Sequence, residues 1–345
     1  MASLNYNMKR QIQAGLIEKR AQVKLSVERL KKEAMMNKPE FGVMLRQEKT
    51  DFQSIINGAL LCEELQYDSV WFYDHLLGMG SIEHDVFESW TLMSALSTVT
   101  KRVKLGTMVI CNSFRQPSLL AKMASTLDHA SGGRLDFAIG AGWFEPEYRA
   151  YGYPFYSTKE RIDQLAEAVQ IIRSMWTESK TTFKGRYYTI VDAHCNPKPV
   201  QKPHPPITVG GSGKKHLLRV VAEHADGWNC PASNAWEFER LMLSLEAHAR
   251  EFGRSVSDIL ISEQTVCVIA ESKRELEDKL SKAKRRYGFF GDIERTGIVG
   301  LPNECIRKIK DKTSKGVSKF TIFFSDTMNP ATLSLFAKEV IPEFR

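Results

Sequence analysis

The 345-residue chain has no pair of cysteines at C-x-x-C spacing; its six cysteines, Cys62, Cys111, Cys195, Cys230, Cys267 and Cys305, stand singly. Scattered cysteines give no disulfide framework and no structural zinc site, and they suit a reducing compartment. The histidines show no metal-ligand spacing either, so no metal is expected. No apolar run approaches the ~20 residues that a membrane span requires. The first residues lack the apolar core and small-residue cleavage site of a secretory signal. A cytoplasmic protein without a membrane partner is therefore expected. A G-x-G-x-x-G fingerprint after the first strand is also missing, which disfavours an open dinucleotide-binding sheet.

Charge is present but unevenly placed. The formal net charge is +7, and residues 1–39 hold nine Lys/Arg against three Asp/Glu. The remainder is close to neutral, so no nucleic-acid face is expected on the main body. Within the arm, Leu16, Val23 and Leu30 recur every seven residues, with Val27 and Ala34 four after the latter two. That pattern suits an amphipathic helix ending at Pro39, packed on the main domain (residues 40–345) or on a second copy. A homodimer or higher homo-oligomer is the expected assembly.

From Glu40 onward, strand and helix patterns alternate. Apolar, β-branched runs at 41–45, 67–73, 103–111, 135–139, 207–209, 226–230, 259–270 and 320–324 read as strands, each followed by a helical pattern. Eight such units over roughly 300 residues predict an α/β fold, a closed (β/α)8 TIM barrel. Residues 177–205 break the rhythm: TTFKGRYYTIV alternates like a hairpin around Lys184-Gly185, and five prolines follow between Asn196 and Pro206. This segment reads as an insertion after the fourth helix. In such barrels the site lies at the carboxyl ends of the strands.

Four loops meet at that end: Asp74-His75, Thr107–Arg115, Gly140–Tyr148 and Gly210–Gly213. Gly210-Gly211-Ser212-Gly213 follows a strand and precedes a helix, so its N–H groups suit a phosphate. Asp74-His75 ends the second strand, and an imidazole there can exchange a proton with a ligand near neutral pH. Gly140-Ala141-Gly142-Trp143 lets a flat ligand approach the backbone, with Trp143 as a cover. Glu145 and Glu147 follow in the same loop and are candidate acids on the substrate side.

These segments carry a family resemblance. YDSVWFYDHL (67–76), RVKLGTMVICNSFRQPSLLAKMASTLDHASGGRL (102–135), GAGWFEPEYRAYGYPF (140–155), FKGRYYTI (183–190), PKPVQKPHPPITVGGSG (197–213) and ADGWN (225–229) resemble, in order and spacing, the luciferase-like flavin and deazaflavin oxidoreductases. The chain is most similar to the branch that uses coenzyme F420. The resemblance implies hydride transfer between that deazaflavin and an organic small molecule. It also implies a cis peptide at Met108–Val109 backing the ring, Gly210–Gly213 on the phosphate, and Asp74 and His75 beside the ring, with Asp74 orienting His75 for proton transfer. Gly142 and Trp143 join the expected cofactor contacts. Trp143 stands where sugar-phosphate dehydrogenases of this branch carry a Glu, so the resemblance does not extend to that substrate. An FMN-dependent monooxygenase on the same barrel, or a flavin-binding protein without catalysis, are the alternatives.

Overall fold

The structure, a computed structural model, describes residues 38–326 and 328–345. Nearly all of the expected basic arm, residues 1–37, lies outside the described residues.

Twelve strands are present among the described residues: β1 (Glu40–Met44), β2 (Ser69–Phe72), β3 (Lys104–Thr107), β4 (Ile110–Cys111), β5 (Leu135–Gly140), β6 (Thr181–Lys184), β7 (Thr189–Ala193), β8 (Ile207–Gly210), β9 (Gly227–Cys230), β10 (Leu260–Ile269), β11 (Ile298–Gly300) and β12 (Lys319–Phe324). Eight of them close a parallel barrel in the order β1-β2-β3-β5-β8-β9-β10-β12, with β12 returning to β1. The expected fold is the observed one.

Three local expectations need correction. The predicted third strand is split into β3 and β4 at the Met108–Val109 peptide, which is cis. The helix after β8 starts at Leu217, because residues 214–216 form a turn. Residues 288–301, whose glycines read in the sequence as a loop leading into a helix, contain β11, which extends the sheet beside the upper half of β10. Gly297 and Gly300 flank its only two β-branched residues, so the periodicity was too short to register. The insertion folds as the antiparallel hairpin β6–β7 outside the barrel.

Strand alternation sorts side chains between the barrel interior and the helical layer. The outward residues Phe41, Val43, Val70, Leu105, Phe137, Ile139, Val209, Phe320 and Ile322 pack under the helices in one continuous core. Inside, Trp71 fills the middle of the barrel and donates its indole N–H to Ser69 Oγ at 2.7 Å. It fits because β1 and β3 present Gly42 and Gly106, where any Cβ would collide with the indole. Below it, Lys319 is 6% exposed and sits between Asp136 and Glu40, with its ammonium 5.3 Å from the Trp71 ring centroid. Glu40 also meets Lys104 at 3.0 Å. Ion pairs and Trp71 therefore plug the amino end of the barrel, and chemistry is left to the carboxyl end.

Candidate active site

His75 and Asp74 leave β2 at the mouth in opposite directions. Successive residues of an extended chain point to opposite sides, and the two side chains accordingly find different partners. Asp74, 4% exposed, accepts hydrogen bonds from Ser89 Oγ (2.8 Å), Cys111 N (2.8 Å), and Arg115 Nη1 (2.7 Å) and Nη2 (3.0 Å). Arg115 also reaches Glu88 Oε1 at 2.7 Å. Burial alone would lower the Arg115 pKa; the Asp74 and Glu88 carboxylates reverse this and raise it. Asp74 is thus an anchor joining β2, β4 and the helix Ser89–Val99. It does not orient His75, contrary to the sequence-based expectation.

Glu147 holds that position instead. It is 2% exposed; Oε1 lies 2.8 Å from His75 Nδ1, and Oε2 accepts the Leu76 N–H at 2.9 Å. The expectation that Glu147 faces a substrate is corrected by this geometry, since both oxygens are turned into the protein. Glu145, the other expected acid, pairs with Arg149 at 2.5 Å on the short helix Glu145–Ala150. With Glu147 ionised, the His75 proton sits on Nδ1 and Nε2 keeps its lone pair. Among the described residues nothing bonds to Nε2. The imidazole stands in an aromatic setting: Tyr73 at 5.6 Å between centroids, Trp143 at 5.7 Å and Phe144 at 5.9 Å, the last two edge-on.

The loop after β5 reaches His75 through Gly142, which has φ +73°, a conformation that favours glycine. A Cβ there would collide with the Tyr148 hydroxyl and lie 2.7 Å from Cys111 Sγ. Arg161 braces the loop by donating to the Gly142 carbonyl at 3.3 Å. Burial pushes the Cys111 thiol up to about 12, so the sulfur stays protonated and is no nucleophile at neutral pH. Trp143 projects from the lip with 61% of its surface exposed.

The floor is made where β3 breaks. Met108 points into the interior with Met44, Trp71 and Ala138, whereas Val109 rises half-buried at the mouth. A Cβ on Gly140 would come within 2.6 Å of Val109 Cγ2, and one on Gly210 within 2.7 Å of Cγ1. Val109 therefore stands beside two strand ends without side chains. Beyond it, the Gly211 N–H bonds to the Asn229 carbonyl at 3.1 Å, and Trp228 Nε1 donates to the Gly211 carbonyl at 2.7 Å. That fixes the loop while the N–H groups of Ser212 and Gly213 have no acceptor among the described residues. Lys214 pairs with Glu237 at 2.5 Å, and Lys215 is exposed. A shelf of backbone and one branched side chain, ending in uncommitted N–H groups, fits a planar ring that carries a phosphate.

Sequence reasoning missed a clamp on the 76–87 loop. Glu48 accepts from the Tyr73 hydroxyl (3.0 Å), Met79 N (3.1 Å) and Gly80 N (3.2 Å), and it pairs with His84 Nδ1. Burial would raise the Glu48 pKa, but the His84, Tyr73 and backbone hydrogen bonds outweigh it and lower it. No motif marks Glu48; only the placement of Tyr73 inward, in phase with Ser69 and Trp71, hinted at its surroundings. Among the described residues no cluster of three or more His, Cys, Asp or Glu is arranged for a metal.

A family model described as luciferase-like monooxygenase matches residues 34–293. An F420-dependent glucose-6-phosphate dehydrogenase of Amycolatopsis mediterranei is 26% identical over 328 residues, covering 85% of this chain and 95% of that protein. An FMNH(2)-dependent dimethylsulfone monooxygenase of Pseudomonas putida is 33% identical over 226 residues, 63% of this chain and 60% of that one. The pyrimidine monooxygenase RutA of Cronobacter sakazakii is also 33% identical, over 61% of this chain and 65% of its own length. Among solved structures, an F420-dependent secondary alcohol dehydrogenase bound to an F420–acetone adduct superposes with a TM-score of 0.76 at 23% identity, covering 89% of this chain and 99% of that one. The monooxygenase RslO1 from Streptomyces bottropensis gives 0.75 at 23% identity, covering 89% of this chain and all of that one. Likeness at that identity supports the shared barrel alone.

Proposed function

The chain belongs to the luciferase-like monooxygenase family, and we propose that it is an oxidoreductase transferring hydride between coenzyme F420 and an organic substrate. The observation that carries the reading is His75, at the carboxyl end of β2, held at Nδ1 by the buried Glu147 with Nε2 bonded to nothing among the described residues. Such a pair delivers or removes one proton at a fixed point, the service that reduction or oxidation of a carbonyl–alcohol couple requires. The dehydrogenase relative, matched over most of both chains, supports the choice of cofactor.

A bound deazaflavin would supply or accept the hydride. Val109 and the bare strand ends at Gly140 and Gly210 would support its ring, and Ser212 and Gly213 would take its phosphate through backbone N–H groups. Glu147 fixes the tautomer and direction of His75, and Nε2 accepts or returns the substrate proton. Trp143 and Phe144 keep water from one side of the imidazole.

A second reading, an FMN-dependent monooxygenase, is favoured by the higher identity to the dimethylsulfone monooxygenase over a shorter span. The two are separated by assay. Protein incubated with reduced F420 without oxygen should regenerate the oxidised ring absorbance when given substrates from a carbonyl panel. Oxygen consumption with reduced FMN, and none of that anaerobic turnover, would support the second reading and refute the first.

A further inference from the structure

The parallel registers bring three residues level at the mouth. Glu40 pairs with Lys319, and Gly42 pairs with Ser69. Carried on to the strand ends, the same registers set Arg46 between Ser325 and Tyr73. The ladder persists that far, since Leu45 N bonds to the Trp71 carbonyl and Ser325 N to the Cys267 carbonyl, each at 2.9 Å. All three residues are in phase with interior positions: Arg46 with Met44, Ser325 with Phe323, Tyr73 with Trp71. Arg46 is half-buried and commits only Nε, which donates to the Glu48 carbonyl at 2.7 Å. Its two terminal nitrogens bond nothing among the described residues. Ser325 Oγ is buried and likewise has no partner among them.

A second guanidinium lies at the same end. Arg286 stands in the last turn of the helix Lys273–Tyr287, exposed, 5.2 Å from the Tyr287 ring centroid. Tyr287 fixes that turn to the carboxyl end of β12: its ring centroid is 5.7 Å from that of Phe323, and its hydroxyl donates to the Phe324 carbonyl at 3.3 Å. Arg286 has no ion pair among the described residues. Burial and Glu48 push the Tyr73 hydroxyl pKa up, and the charges of Arg286 and Arg46 both oppose this, so the two cations act at one phenol. The Tyr73 ring in turn neighbours His75 at 5.6 Å. Glu48 does not neutralise the arginines, because its carboxylate is taken up by Tyr73, His84 and the backbone of Met79 and Gly80. A half-buried guanidinium and a buried hydroxyl without partners are costly unless a ligand completes them. Two guanidiniums beside a hydroxyl donor make the set that receives a carboxylate or a phosphate.

We infer that Arg46, Arg286 and Ser325 form an anion subsite for the substrate, which places a carboxylate or a phosphate there and presents its carbonyl or alcohol to His75. The inference deepens the proposed function and rests on it for the identity of the reacting end.

The test is binding rather than turnover. Purified protein loaded with oxidised F420 is titrated by calorimetry with pyruvate and with dihydroxyacetone phosphate, each beside its uncharged counterpart, methyl pyruvate and dihydroxyacetone. At least one anion should bind saturably, with its uncharged counterpart about tenfold weaker or more. Which anion binds tells carboxylate from phosphate. Arg46→Gln and Arg286→Gln should each weaken that binding about tenfold or more while keeping the wild-type far-ultraviolet circular dichroism. F420 affinity, read in a separate titration, should be the same in both variants as in the parent. Binding of neither anion, equal binding of the uncharged counterparts, or unchanged binding in either variant would overturn the inference. So would a loss of F420 affinity in the variants, since the arginines would then hold the cofactor's own anionic groups. If F420 does not bind and the anion still does, with the same losses in the variants, the subsite stands and the cofactor reading falls.

Discussion

His75 Nδ1 and Glu147 Oε1 lie 2.8 Å apart, joining the end of one barrel strand to the short helix Glu145–Ala150 across 72 residues of sequence. The carboxylate is buried and makes its second bond to the Leu76 backbone. The imidazole therefore has one direction available to its free nitrogen. Replacing Glu147 by Gln keeps an acceptor for Leu76 but removes the charge that fixes the tautomer. We expect kcat to fall roughly tenfold or more, because an orienting carboxylate exchanged for its amide has cost up to about 10⁴ elsewhere. His75→Ala should cost about 10²–10⁴ in turnover. Cofactor affinity, read by titration, should change little in either variant. The pH–rate profile of Glu147→Gln should be displaced, which a purely structural role would not produce.

Asp74→Asn has a different signature. It leaves the buried Arg115 with only Glu88 as a charged partner. Breaking a buried pair costs about 3–5 kcal/mol, so the loss should appear first as a lower urea midpoint. A variant of full stability with reduced turnover would return Asp74 to the catalytic role expected from the sequence.

Gly42→Ala and Gly106→Ala each place a methyl group against the Trp71 indole. Overpacking of this kind costs about 1–3 kcal/mol, and Trp71→Ala about 3–5 kcal/mol through the cavity it leaves. Equilibrium unfolding in urea checks all three. The expected order is Trp71→Ala least stable, with both glycine variants between it and the parent protein.

Glu48 has a folded-state pKa below its ordinary value, the hydrogen bonds from His84 and Tyr73 prevailing over burial. A depressed carboxyl pKa contributes stability that is present above the unfolded value of about 4.5 and lost as pH falls through the folded value. Glu48→Gln should therefore be less stable than the parent near pH 7, with the difference shrinking below about pH 4. Unfolding midpoints at the two pH values read the change. A difference that persists unchanged in acid would contradict the assignment.

The barrel was legible because eight strand runs alternate with helical patterns, and each run carries its own hydrophobic signal. The mouth was legible because glycine clusters and Asp74-His75 fall at strand ends. Partnership was not. Asp74 and His75 are adjacent in sequence, which invited a pairing that the alternation of the strand forbids. Glu147 looked like a free acid because its partner lies 72 residues away. Arg115 and Glu48 carry no local pattern at all, and long-range polar pairs of this kind become visible only when the barrel closes. β11 was missed for a related reason, since two residues between glycines show no period.

The central claim is that a deazaflavin occupies the shelf of Val109, Gly140 and Gly210. The most direct measurement is a parallel binding titration of the purified protein with oxidised F420 and with FMN, followed by ring absorbance and fluorescence at one salt concentration. The account predicts tight F420 binding and weak FMN binding, with F420 affinity lowered by Ser212→Pro, which removes one of the two uncommitted N–H groups. Tight FMN binding with weak F420 binding, or binding of neither, would contradict it.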